Sequence, residues 1–387
     1  MRAAQARVPG ATRPPDPQFQ LGWMNYSLPN LAPMPTTGMT QLQVMQMLPL
    51  GGKLALAGRA VGAQASATNE RANDVVWELR SQTAMGFYDL YSTDQSLRIA
   101  RETLRLLQDI EKTAESMYRV GEGRQADVLR AQVEIAKMAE DTLRMQAMRE
   151  SMVARLNALM DRAADTRVAS PALPRFPDSL PTRPSLEAIA FGGRPMIRAG
   201  LEDVSAAEAS EKLARKEIWP DLQVGVQYAQ QPSIMGGGTE RMGSLMFGAS
   251  LPVFARDRQL RMREEAAAMR QMAQADLASM RAETRGKIGE AYANLVRARN
   301  LSQLYRSTVL PQAAATVASA LSAYRVGSVD FMTLLDDQMT VNKYQQELYA
   351  LDADQGKAWA ELEMLIGREL FDPNQIAVTR AAARGGK

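Results

Sequence analysis

The residues that could do chemistry in this chain are carboxylates, amines and thioethers, because its 387 residues include no histidine and no cysteine. That composition removes thiolate nucleophiles, disulfides, thiolate zinc sites, imidazole bases and the Ser-His-Asp triad together. The carboxylate pairs Glu264–Glu265 and Asp336–Asp337 are adjacent in sequence. On a helix, neighbouring residues lie on different faces, so neither forms a general acid–base pair. No catalytic residue, cofactor or metal site is assigned, and the expectation is a protein that is not an enzyme. The 24 methionines offer thioethers, which are ligands for soft cations such as Cu(I). Met24, Met34, Met39, Met45 and Met47 crowd one short region, whereas Met138, Met145 and Met152 recur at helical spacing. Methionine is also a flexible apolar filler, and the filler reading is preferred here over ligation.

These side chains must be positioned by something long. Hydrophobic residues make up 46% and charged residues 23%, so the chain is ordered, while aromatics are only 6%. Forty-six basic against 43 acidic residues give a net charge of +3, with no basic block that would favour nucleic acid. No run of about 18 apolar residues offers a transmembrane helix. Met1 to Pro9 carries no apolar signal-peptide core. A transmembrane β-barrel stays open, because its strands are short and alternating.

The chain repeats itself. Tyr118-Arg119-Val120-Gly121 returns 206 positions later as Tyr324-Arg325-Val326-Gly327, and the same spacing pairs Leu129 with Leu335, Gln132 with Gln338 and Leu156 with Leu362. Upstream, Leu48-Pro49-Leu50 matches Leu251-Pro252-Val253 at a spacing of 203, which also pairs Gln20 with Gln223 and Gly22 with Gly225. Two nearly constant spacings indicate a tandem duplication, each copy about half the chain.

Each copy reads as strand, loop, strand, very long helix, tight turn and returning helix. Period-2 alternation marks the strands: Phe19, Leu21 and Trp23; Leu42 and Val44; Leu222, Val224, Val226 and Tyr228; Leu245, Phe247, Ala249 and Leu251. Ser27 to Gly38 and Gln231 to Arg241 read as exposed loops. From about Lys53 to Met117 there is no proline, and Val76, Leu79, Thr83, Gly86, Leu90, Thr93, Leu97, Ala100, Leu104 and Leu107 alternate steps of three and four. Such a helix would be roughly 95 Å long. In the second copy Pro311 should kink the long helix, where the first copy has Arg105.

The expected organisation is a remnant at 1–14, a strand pair at 15–52, a helical hairpin at 53–162, a Pro-rich linker at 163–184 and a helix at 185–219. A second strand pair at 220–254, a second hairpin at 255–368 and a basic tail at 369–387 follow. The fold class is mostly α with a small β part. Four strands cannot close a barrel alone, since about eight are the practical minimum. An open sheet would leave exposed edges. Several chains sharing one barrel resolve both problems.

The ordered set of motifs resembles the TolC family of outer membrane efflux proteins. It comprises the two Tyr-Arg-Val-Gly tips, Leu310-Pro311-Gln312-Ala313, Arg194-Pro195, Trp219-Pro220-Asp221-Leu222 and Met47-Leu48-Pro49-Leu50-Gly51-Gly52-Lys53. The resemblance covers about residues 15 to 370 and is closest to the heavy-metal and general resistance–nodulation–division branch. It implies a homotrimer with a twelve-stranded barrel in outer membrane lipid and a periplasmic α-barrel of coiled-coil hairpins. The implied partners are a periplasmic adaptor protein and an inner-membrane pump, with passive export of small molecules or metal ions. It also implies that the tips Tyr118, Arg119, Val120, Gly121, Tyr324, Arg325, Val326 and Gly327 contact the adaptor. Tyr324 falls at the gate-tyrosine position and Asp336 at the place of an inner aspartate. The family's gate arginine, five residues after that tyrosine, is Val329 here, and Arg124 is read as occupying the equivalent site of the first copy. Family members begin with a signal peptide, often a lipidated cysteine, and a helical pair, so an amino-terminally truncated chain is expected. The alternative is a soluble or periplasmic coiled-coil scaffold or adaptor, which would leave the duplicated strand pairs unexplained.

Overall fold

The computed structural model describes residues 1–27, 29–30, 32–34, 37–177, 179–233 and 238–370. It divides into two compact units, one of Met1–Ala72 with Pro195–Arg281 and one of Asn73–Arg194 with Ala282–Lys387.

In the first unit a short helix, α1 (Arg2–Ala11), precedes strand β1 (Gln18–Met24). The helix tolerates Pro9 near its end, within the stretch 1–14 that the sequence reading gives as a remnant preceding strand one. A two-residue ribbon, β2 (Tyr26–Ser27) with β3 (Ala32–Pro33), tightens what the sequence reads as plain loop, and β4 (Met39–Leu48) returns. The second copy contributes β5 (Leu222–Pro232) and β6 (Thr239–Ala249), so these strands reach further into the expected 231–241 loop. The sheet order is β1-β4-β5-β6, antiparallel throughout, and the two copies join at β4–β5.

The register sorts the side chains cleanly. Phe19, Val44, Val226 and Leu245 lie in one cross-strand row, and Leu21, Leu42 and Tyr228 in the next. On the opposite face Gln20, Gln43, Gln227 and Ser244 share a row. The apolar face is bare in the single chain: Phe247 is 79% exposed and Leu245 71%. Among the described residues β1 and β6 pair on one side only.

Helix α2 (Lys53–Arg119) begins in this unit, with its first side chain as an anchor. The buried Lys53 ammonium donates to the Trp219 carbonyl at 2.9 Å and to Asp221 Oδ1 at 2.8 Å, just ahead of β5. This tie fixes the start of the first copy's helix to the start of the second copy's strand. Helix α5 (Pro195–Lys216) packs closely on α6 (Gln259–Leu304), because Gly200 leaves room for Leu277 Cδ1, which would sit 3.1 Å from an added Cβ.

In the second unit, α2 turns back as α3 (Gln125–Leu159). The chain then runs irregularly to α4 (Arg183–Gly193). That Pro-rich stretch is strapped down: buried Asn157 donates to the carbonyls of Ala164 and Thr166 at 3.2 and 2.8 Å, and Phe176 rests on Tyr88. One continuous helix over 185–219 is not formed. The chain breaks between Gly193 and Pro195, because a proline forces the preceding residue, Arg194, out of helical geometry; its ψ is 123°.

The second copy's ascending helix is interrupted too. After α6 ends at Leu304, one π-helical turn covers Tyr305–Val309, and α7 (Leu310–Arg325) follows. The wider turn accommodates Pro311, which has no amide hydrogen and whose ring would strike the carbonyl one turn back. A buried Asp352 on α8 (Phe331–Ile366) accepts from Ser302 Oγ at 2.7 Å and pairs with Arg306 inside that turn. In the first copy, with Arg105 at the matching place, α2 runs unbroken for 67 residues, roughly 100 Å.

The cores lie between helices. Leu186, Ile288, Leu295, Trp359, Leu362 and Leu365 join α4, α6 and α8. The expected α2 ladder holds from Leu90 through Leu97, Ala100 and Leu107, but Val76 and Leu79 at its start are 63% and 46% exposed. Met138 is buried in the tip-side core, as the filler reading requires.

Tyr88 and Tyr91 are both pushed up to about 12, first by burial and then by the nearby carboxylates Glu363 and Asp352 respectively. The folded state therefore holds their protons more tightly than the unfolded chain does. Their stabilisation is complete below pH 10 and lost progressively between about 10 and 12. Thermal stability, followed by circular dichroism against pH, should fall over that window, and Tyr88→Phe should shallow the fall.

Candidate functional site

The site is built where two helix ends meet their returning partners. Both tips use the same backbone device. In the first, the Gly121 amide donates to the Tyr118 carbonyl at 3.1 Å and the Glu122 amide to Met117 at 3.0 Å. In the second, Gly327 donates to Tyr324 and Ser328 to Ala323, each at 3.0 Å. This paired closure of a helix end requires a left-handed residue, and Gly121 and Gly327 supply it at φ 82° and 72°. The shared Tyr-Arg-Val-Gly sequence thus has a local cause in each copy.

The equivalent tyrosines differ in burial. Tyr324 is only 4% exposed and stacks edge-on against Phe331, 5.8 Å between ring centres, whereas Tyr118 is 46% exposed. Among the described residues the Tyr324 hydroxyl has no hydrogen-bond partner. Its pKa is raised by burial and then by the Asp127 carboxylate. Val120 and Val326 stand out from the tips, 68% and 78% exposed, flanked by the exposed Arg119 and Arg325.

Between the two tips lies a cleft of about 260 Å³. Arg124, Asp127, Arg130, Tyr324, Val329 and Asp330 are among the residues that line it. Arg124 is the residue before α3 and Asp330 the residue before α8, so Arg124 is the structural counterpart of Asp330, not of Val329. The equivalence read from the sequence is corrected by one position. Asp330 caps α8, accepting from the Thr333 amide at 3.0 Å and from its hydroxyl at 2.5 Å. These bonds hold its carboxyl below the usual range, helped by the positive charges of Arg124 and Arg130. Asp330→Ala should lower stability, because the Thr333 amide loses its cap. Urea titration of wild type and variant at neutral pH measures it.

The predicted residues are therefore brought together only in part. Tyr324 and Arg124 share the cleft, whereas Asp336 is exposed further along α8, and its neighbour Asp337 lines a separate hollow with Gln312, Thr316 and Tyr344. Asp127, Arg130 and Asp330 are cleft residues that sequence reasoning did not single out. The constant spacing of 206 was the available signal, because it places Arg124 opposite Asp330 rather than Val329.

A tandem repeat of strand pair and long hairpin, with a two-faced sheet and duplicated hairpin tips, is the arrangement of an outer-membrane channel protein. The chain belongs to the outer membrane efflux protein family, whose pattern matches residues 2–162 and 189–368. It is similar in fold to VceC of Vibrio cholerae (TM-score 0.80, 17% identity, covering 96% of this chain and 91% of that one). It is also similar to CmeC of Campylobacter jejuni (0.76, 13%, 98% and 84%) and to the open state of MtrE of Neisseria gonorrhoeae (0.77, 16%, 95% and 84%). At these identities the likeness is one of fold. No curated protein sequence matches the chain. The family is one of efflux channels rather than enzymes, and the protein is an outer-membrane one with a mostly periplasmic helical part. Among the described residues no helix is long and apolar enough to cross a membrane.

Proposed function

We propose that three copies of this chain close one barrel in the outer membrane and form the exit duct of a tripartite efflux system. The observation that carries this reading is the sheet: two free edges and one bare apolar face. Joining β6 of one protomer to β1 of the next pairs both edges. The face bearing Phe19, Trp23, Val226, Tyr228 and Phe247 then meets lipid, and the glutamine face lines water.

In this reading the duct is passive. The tips, Tyr118–Gly121 and Tyr324–Gly327, present Val120 and Val326 to a periplasmic adaptor, which links the duct to an inner-membrane pump. The Arg124, Tyr324 and Asp330 cleft holds the two hairpins of a protomer at a fixed spacing, with Asp336 contributing to a polar constriction. Cargo, small molecules or metal ions, is selected upstream.

Planar-bilayer recording from the purified full chain tests the duct directly. Discrete, voltage-stable conductance steps are expected. A preparation that enters the bilayer and leaves it non-conducting, with and without Asp336→Ala, overturns the proposal.

A further inference from the structure

The sheet methionines are not scattered. Met24, Met39, Met45, Met47, Met242 and Met246 all fall on the glutamine face of β1, β4 and β6, and the apolar face of the four strands carries none. A filler would be expected among the Phe, Leu and Val of the apolar face. Here the thioethers stand instead among Gln20, Gln43, Gln223 and Gln227, on a face whose one charged residue within these strands is Glu240.

Three of them are neighbours on that face. Met45 and Met246 flank Gly225 in a single cross-strand row, and Met47 lies two residues along β4 on the same face, about 6.6 Å from Met45. Gly225 is buried beneath them: a Cβ there would meet Met45 Cγ at 3.1 Å and Met246 Cβ at 3.6 Å. The glycine has no side chain to separate the two strands' thioethers, so Met45 lies across it. Met45 and Met246 are themselves only half-buried and open to a face that a solute can reach.

We propose that Met45, Met47 and Met246 over Gly225 form a thioether site for a soft monovalent cation, Ag(I) or Cu(I), on the inner wall of the barrel. Thioether sulfur is a poor ligand for hard ions and a good one for these, and an uncharged amide-lined surround neither repels a single positive charge nor competes for it with carboxylates. The assignment replaces the filler reading for Met45, Met47 and Met246 while leaving it in place for Met138. It rests on the barrel reading above for the inward direction of this face.

Titration calorimetry of the detergent-solubilised full chain with silver nitrate, in chloride-free buffer, tests the site. Wild type is expected to bind Ag(I) saturably, and the M45L/M47L/M246L variant to bind it at least tenfold more weakly. M262L/M269L, on the exposed face of α6, should match wild type. Each single leucine variant conserves volume and should weaken binding at least threefold, so a fold defect in the triple variant does not shield the proposal. Wild type without saturable binding, or leucine variants that bind as tightly as wild type, overturns it. Bilayer conductance of the same preparations is read separately. A conducting protein that ignores Ag(I) refutes the thioether site alone, whereas a non-conducting protein that binds Ag(I) refutes the duct and leaves the site standing.

Discussion

Val226→Arg should abolish barrel assembly, while Gln227→Arg, one residue along the same strand, should leave it intact. Val226 is in the middle row of the apolar face, with Phe19, Val44 and Leu245, and is 57% exposed in the single chain. If that face meets lipid, an arginine there costs about 2–4 kcal/mol at each of the three equivalent sites in a trimer. Gln227 faces the other way, where its amide donates to Gln41 Oε1 at 2.7 Å, and a long cation can extend into water. Heat-resistant oligomer on mild electrophoresis of membrane extracts reads both variants. Equal loss in both would mean that the two faces do not differ in environment.

The second large effect concerns the helical part. Trp359 is 2% exposed, in a core with Leu186, Ile288, Leu295 and Leu362 that fastens α4 and α6 to α8. Truncating a buried tryptophan leaves a cavity the surrounding helices cannot fill, so Trp359→Ala should cost about 3–5 kcal/mol. Trp359→Phe should recover most of it. Denaturant midpoints of the helical signal measure both. A cost below about 1 kcal/mol for the alanine variant would show that α4 and α6 are held to α8 by other contacts.

Much of this architecture was legible in the residues, for identifiable reasons. A proline-free run from Lys53 and alternating three- and four-residue steps leave few outcomes other than a long helix, and α2 runs Lys53–Arg119. Alternation of Phe19, Leu21 and Trp23 against Gln18, Gln20 and Gly22 marks a two-faced strand, and β1 is one. Pairing register is a different matter. It depends on which strands meet, so the collection of methionines onto one face emerges only once β4, β5 and β6 are aligned. The exposure of Val76 and Leu79 was likewise invisible, because a heptad pattern records that a face is apolar and not what covers it.

Two departures came from proline acting more locally than pattern suggests. At Pro195 the restriction on Arg194 ends one helix and starts another, although the apolar periodicity continues across it. At Pro311, where a kink is expected, the helix widens into a π turn at Tyr305–Val309, with Arg306 paired to Asp352. The cleft was partly legible. Tyr324 is reached through the family resemblance and Arg124 through the repeat, but the burial of Tyr324 beside an exposed Tyr118 is a tertiary outcome that identical tip sequences cannot encode.

In the trimeric reading one chain makes only a third of the barrel. Light scattering of the detergent-solubilised particle, with the detergent mass subtracted, tests it most directly. A protein mass of about three times the 42.5 kDa chain, extracted only from membranes, is expected. A monomer of 42.5 kDa recovered from the soluble fraction, with the four-stranded sheet intact, would contradict it.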